Sequence, residues 1–277
     1  MLNGRRHSLV LPVPMILNRR PRSRALSHRP TFLSRTMHPT YTDLRASAPN
    51  PSTTIARNDP AIRADSFAPF RQSLAIDDPN LDVGWCLLPA GEGVSDDVSQ
   101  HELLVVLDGK IDIEGKEGGE SLRAGSSLIV PKGGSFRWSV ADQAKLVFMR
   151  YRAEDAQDSA DLIFVDPDVP LSPSGSPAVE LLLSETPSCR NNTLYATPTR
   201  HWSAGVWDST PYHRAPMVYA HYELMHILEG SVRITDDQGR ATTFGQDSIF
   251  LVPRGAKCSW LSEEHVRKVW GILRVPS

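Results

Sequence analysis

The chain is poor in the residues that would make it a redox, membrane or nucleotide protein. Its three cysteines, Cys86, Cys189 and Cys258, are odd in number, far apart and free of any CxxC or zinc-type spacing. That argues against a disulfide framework and fits a reducing compartment, with Cys86 and Cys189 as packing residues. No apolar run approaches the roughly 18 residues of a membrane helix. There is no GxSxG, no P-loop and no GxGxxG following a strand, so the common nucleophile-elbow and nucleotide-cradle chemistries are not indicated. Long helical periodicity is also missing, apart from a short candidate at Ala178–Ser184.

Acidic residues are absent before Asp43. That stretch holds eight of the 30 basic residues and none of the 32 acidic ones, so the rest of the chain carries a formal charge of about −10. An acidic body argues against a nucleic-acid partner. The leader itself reads in two ways. It is either a mitochondrial transit peptide or an upstream extension before Met37 as the true start, with the cytoplasm as the location in the second case. Either way, residues 1–45 are expected to carry no fold.

What is present is a repeat. Glu102-Leu103-Leu104-Val105-Val106-Leu107-Asp108-Gly109, then Gly125 and Pro131-Lys132-Gly133, is answered by Glu223-Leu224-Met225-His226-Ile227-Leu228-Glu229-Gly230, then Gly245 and Pro253-Arg254-Gly255. A tryptophan follows each copy, Trp138 and Trp260. Such internal similarity implies two like β units. Short apolar and β-branched runs bounded by Gly, Asp and Pro predict strands through both, with Asp108-Gly109 as a hairpin turn. The expected divisions are an N-terminal arm at 46–69, a first unit at 70–153, a Pro-rich linker at 154–192 and a second unit at 193–277.

Paired β units with a Glu-to-Gly spacing of seven and a later Pro-x-Gly resemble cupins. The expected fold is therefore all-β: two tandem RmlC-like jelly-roll barrels forming a bicupin, behind a disordered leader. Within that group, Gly205-Val206-Trp207-Asp208-Ser209-Thr210-Pro211, the run His221–Gly230 and Val266-Arg267-Lys268-Val269-Trp270 resemble the ureidoglycine aminohydrolase-like family, which includes ethanolamine-utilisation cupins. The resemblance implies action on, or binding of, a small nitrogenous or carboxylated metabolite in the second barrel. The alternative is a metal-free binding or sensing bicupin without catalysis. It also implies pairing of two copies as a homodimer, and gives no reason to expect a membrane partner.

Metal-binding cupins use an HxH pair, a Glu and a later His. The first copy has Val94–Ser99 where the pair belongs and Phe136 in the place of the later His, so Glu102 stands alone as a donor. His101, next in the chain, falls on the opposite strand face. In the second copy the HxH positions fall at Met217 and Tyr219, or one residue earlier, and Cys258 takes the place of the later His. Alternation puts Met217, Tyr219, His221 and Glu223 on one face.

Two readings follow for the second copy. His221, Glu223 and Cys258 converge as N, O and S donors for a divalent transition ion such as Mn, Fe, Ni or Zn. Otherwise His221–Glu223 is a polar pair in a ligand pocket, able to serve as a catalytic acid and base, while Cys258 fills space. Tyr219, Met217, Trp260 and Trp207 are the candidate ligand-binding walls. Of Arg267 and Lys268, at most one can enter the pocket. His226 points away from Glu223, toward packing or an inter-barrel contact.

Overall fold

Alternation of apolar residues along antiparallel strands builds this molecule, and the computed structural model describes it at residues 40–49, 65–152 and 161–275. The expected leader up to residue 39, with its transit-peptide and start-site readings, lies outside the described residues, as do 50–64 and 153–160. Chain order begins with β1 (Thr42–Asp43). The first half contains β2 (Arg71–Ser73), β3 (Leu81–Ser95), β4 (His101–Glu114), β5 (Gly119–Arg123), β6 (Ser127–Val130), β7 (Phe136–Tyr151) and β8 (Ile163–Phe164). The second contains β9 (Ser172–Ser174), β10 (Cys189–Ala196), β11 (Trp202–Ser209), β12 (Tyr212–Val218) and β13 (Tyr222–Glu229). It continues with β14 (Val232–Thr235), β15 (Ala241–Phe244), β16 (Ile249–Val252), β17 (Lys257–Ser262) and β18 (Val266–Leu273).

The first half is one sheet, β2-β3-β7-β4-β6-β8, with β5 on β4. Its long strands bend to make both walls of a barrel, and the register shifts at Pro89/Gly91 and around Gly109 mark the corners. The second half divides the same walls between an inner sheet, β1-β16-β13-β18-β11-β10-β9, and an outer sheet, β12-β17-β14-β15.

Side-chain alternation then sorts three cores. Leu103, Val105, Val147 and Met149 of the first half meet Ala204, Val206, Leu224 and Val269 of the second in a core shared by both. Phe67, Leu104, Leu128, Phe136 and Phe148 fill the first barrel. Met225, Phe244, Phe250, Cys258 and Trp260 fill the second.

Four expectations change. Asp108-Gly109 is not a hairpin but the corner of one continuous strand, β4, which pairs with β7 on both sides of it. Gly109 takes a φ of +80°, and a Cβ there would lie 2.2 Å from the Gln143 carbonyl oxygen. Gly230 repeats this with φ +74° and 2.0 Å to the His265 carbonyl oxygen, so both corners require glycine.

Folded structure also reaches further toward the N-terminus than expected. β1 pairs with β16, Leu44 is fully buried in the shared core, and Trp85 Nε1 donates to the Leu44 carbonyl at 2.8 Å. The Pro-rich stretch is strapped to both halves rather than free, through β8 on β6 and β9 on β10. Finally, the helix candidate forms only a 3-10 turn, Val179–Leu181, too short to bury an amphipathic face.

Candidate active-site pocket

Across the inner sheet of the second barrel, register aligns the side chains into rows. One row is Asn191, Trp207, Lys268 and Ile227. The next is Thr193, Gly205, Trp270 and Met225, followed by Ser203, Ile272 and Glu223. On β18 the alternate residues Lys268, Trp270 and Ile272, and Arg274 just beyond its end, share one face. All four line a cavity of about 960 Å³ with Trp207, Glu223 and His221.

Lys268 governs the electrostatics. Its ammonium reaches back along the strand to donate to Glu223 Oε1 at 2.8 Å, and lies 3.1 Å from Met225 Sδ. It sits 4.9 Å from the Trp207 ring centroid and 5.0 Å from that of Trp260, a cation–π cage that holds a buried charge in place. The other carboxylate oxygen, Glu223 Oε2, is 3.3 Å from His221 Nε2. Burial pushes the Glu223 carboxyl up, but the Lys268 charge and His221 outweigh it and hold the group down at about 2.

The sequence candidates separate. Trp207, His221 and Glu223 line the cavity. Trp260 and Tyr219 are buried in the barrel core instead. Trp260 stacks on Tyr212 at 5.9 Å, and Tyr219 is sealed by backbone hydrogen bonds to Gly255 and Ala256. Met217 sits on β12, opposite Cys258 of β17 in the outer sheet.

The proposed donor trio therefore does not assemble. Burial pushes the Cys258 thiol up to about 11, despite the Arg214 guanidinium that donates to its sulfur, so it stays protonated. One oxygen of Glu223 is already taken by an ammonium. Among the described residues no group of three or more His, Cys, Asp or Glu has metal-holding geometry. These residues do not fit a transition ion, which needs deprotonated donors around an uncompensated cation.

Lys268 rather than Arg267 enters the barrel. Arg267 turns to the opposite face, donating to the carbonyls of Pro167 and Val169. His226 lies on that face as well, buried toward the shared core with neither ring nitrogen hydrogen-bonded. Burial lowers its imidazole to about 4.

The cavity also brings in Arg200 and Arg274, which the sequence reading missed. Arg274 was recoverable by extending the alternation of Lys268, Trp270 and Ile272 past the strand end. Arg200 was not, because it belongs to the turn after β10, where it adopts a φ of +57°.

In the first barrel the equivalent region is closed. Glu102 accepts from Arg71 Nη1 at 2.6 Å and Nη2 at 2.9 Å, and Asp65 pairs with both Arg71 and Arg150. Phe148 lies under the Arg71 guanidinium at 4.5 Å. Phe67, fully buried, packs against Phe136 and Trp138, so the place of the later cupin His is occupied by an aromatic plug.

Residues 196–270 match the model of the EutQ-like cupin domain. No curated protein sequence matches significantly. A protein of unknown function from Pseudomonas syringae pv. tomato is similar in structure, with a TM-score of 0.74 and 25% identity, covering 85% of this chain and 100% of that one. A cupin 2 conserved barrel domain protein from Leptotrichia buccalis gives a TM-score of 0.53 at 12% identity, over 73% and 88% of the two chains. A candidate glyoxylate-induced protein from Pseudomonas aeruginosa gives 0.50 at 12%, over 75% and 80%. The chain thus has an all-β cupin fold, and residues 196–270 of its second half are similar to the EutQ-like cupin domain.

Proposed function

We propose that the second barrel binds a small carboxylate-bearing metabolite, with the Lys268 ammonium as the fixed cation of the site in place of a metal ion. The observation that carries this reading is the charge of the cavity. Arg200, Lys268 and Arg274 line it against a single carboxylate, Glu223. Lys268 at its inner end is only 7% exposed, and a charge held there acts more strongly than in water. The likeness of Gly205–Pro211 and His221–Gly230 to the ureidoglycine aminohydrolase-like family supports a metabolite of this size.

Titration calorimetry with small carboxylates, and with neutral amides of matched shape, tests the reading. Carboxylates should bind and amides should not, with no change after metal chelation and at least a tenfold loss in Lys268→Met. Stoichiometric metal whose removal abolishes binding would overturn it.

The contact between His221 Nε2 and Glu223 Oε2 favours a second, catalytic reading. A side chain 22% exposed at the pocket edge can relay a proton to bound ligand while Glu223 fixes its orientation. His221→Gln would then abolish turnover of a substrate that it still binds.

A further inference from the structure

We infer that the ligand of this pocket carries two anionic groups and is a short dicarboxylate, held at one end by Lys268 and at the other by Arg274. This rests on the carboxylate reading above and narrows it. The three basic residues exceed the one acid by two charges, which calls for a dianion rather than a monoanion.

The register sets the spacing. Ile272 pairs with Glu223 on one side and Ser203 on the other. Glu223 holds the Lys268 ammonium at 2.8 Å, while Ser203 Oγ accepts from Arg274 Nη1 at 3.2 Å. The residues that anchor the two cations are therefore two strands apart, about 10 Å at the usual strand spacing. On that scale, with a carboxylate bonded to each cation at about 2.8 Å, roughly 5 Å separates the two acid groups. A chain of about four to six carbons spans that distance, and the Ile272 side chain between the cations faces its methylenes.

Lys268 has three N–H donors, of which one is directed to Glu223 and one to the weakly accepting Met225 sulfur, so one remains for the ligand. Arg274 is exposed, its described side-chain bond being the one to Ser203. It can adjust to a second carboxylate bidentately. Arg200, on the same rim, adds charge without a strand-fixed position.

The test is calorimetric titration of the full chain with straight-chain α,ω-dicarboxylates of three to eight carbons and with the monocarboxylates of equal length. The expected result is an affinity maximum at four to six carbons, at least tenfold above the matching monoacid. Arg274→Ala should erase that advantage, weakening the diacids at least tenfold more than the monoacids. Lys268→Met should weaken both series, but it also removes a buried charge partner, so the exposed Arg274→Ala is the deciding variant. A flat length profile with monoacids bound as tightly overturns the two-ended ligand and leaves the carboxylate pocket standing. No binding by any carboxylate overturns both.

Discussion

The two barrels answer one problem, a buried cupin glutamate without its metal-binding neighbours, in opposite ways. In the first, Glu102 faces Arg150 directly in register and receives Arg71 from the edge strand. Two acids and two arginines close the account of charge, and Phe67 seals the end. In the second, Ile272 stands opposite Glu223 and Asn191 stands where Arg71 would be. The cation comes instead from Lys268, at the position held by apolar Leu146 in the first barrel. A flexible ammonium leaves room that two guanidinium groups do not, and the mouth stays open. The same scaffold thus yields a structural ion cluster in one copy and a pocket in the other.

The comparison can be broken most severely in the first barrel. Arg71→Met strips Glu102 and Asp65 of a buried partner and should cost about 3–5 kcal/mol in chemical denaturation, without touching ligand affinity. Lys268→Met should cost less, roughly 2–4 kcal/mol by the same reasoning, because His221 and pocket solvent still serve Glu223. Unlike Arg71→Met, it should also weaken carboxylate binding at least tenfold. Equal effects of the two variants on binding would erase the distinction between plug and pocket.

A third difference is His226, which takes the place of Val105 in the shared core. Burial, with Arg45 adding to it and Asp247 opposing it, holds its imidazole near 4 against an ordinary 6.5. Between those values the unfolded chain binds the proton and the folded chain does not. This contribution to stability is therefore present above pH 6.5 and declines as pH falls toward 4, by up to about 3 kcal/mol. His226→Val should flatten that segment of the stability–pH curve, and an unchanged curve would show that the ring is not buried neutral.

The smallest effect expected is at Asp247, which adopts φ +64° where the first copy has Gly125 at φ +89°. Asp247→Gly should stabilise by less than about 1 kcal/mol, since Asp tolerates the left-handed region better than most residues.

Much of this was legible in the chain. Repeated Glu-to-Gly and Pro-x-Gly spacing gave the two β units, because corner glycines and strand alternation are local requirements that sequence records directly. Alternation also separated His101 from Glu102 and admitted only one of Arg267 and Lys268. The strapping of Tyr41–Leu44 and of the Pro-rich stretch was not legible, since two- and three-residue strands carry no periodicity of their own. Nor was the continuity of β4 through Gly109, because a corner and a hairpin use the same left-handed glycine.

By itself, then, the sequence determined the all-β architecture, the internal duplication and the position of each glutamate on an inner strand face. Which cation meets each glutamate was decided only by tertiary structure. Lys268 is 45 residues from Glu223, and Arg71 is 31 from Glu102. Pairing at such separations depends on strand order, register and side-chain reach, none of which is local to either residue. Whether a barrel end is plugged or open depends on the same non-local choice, and so does the place where a ligand can bind.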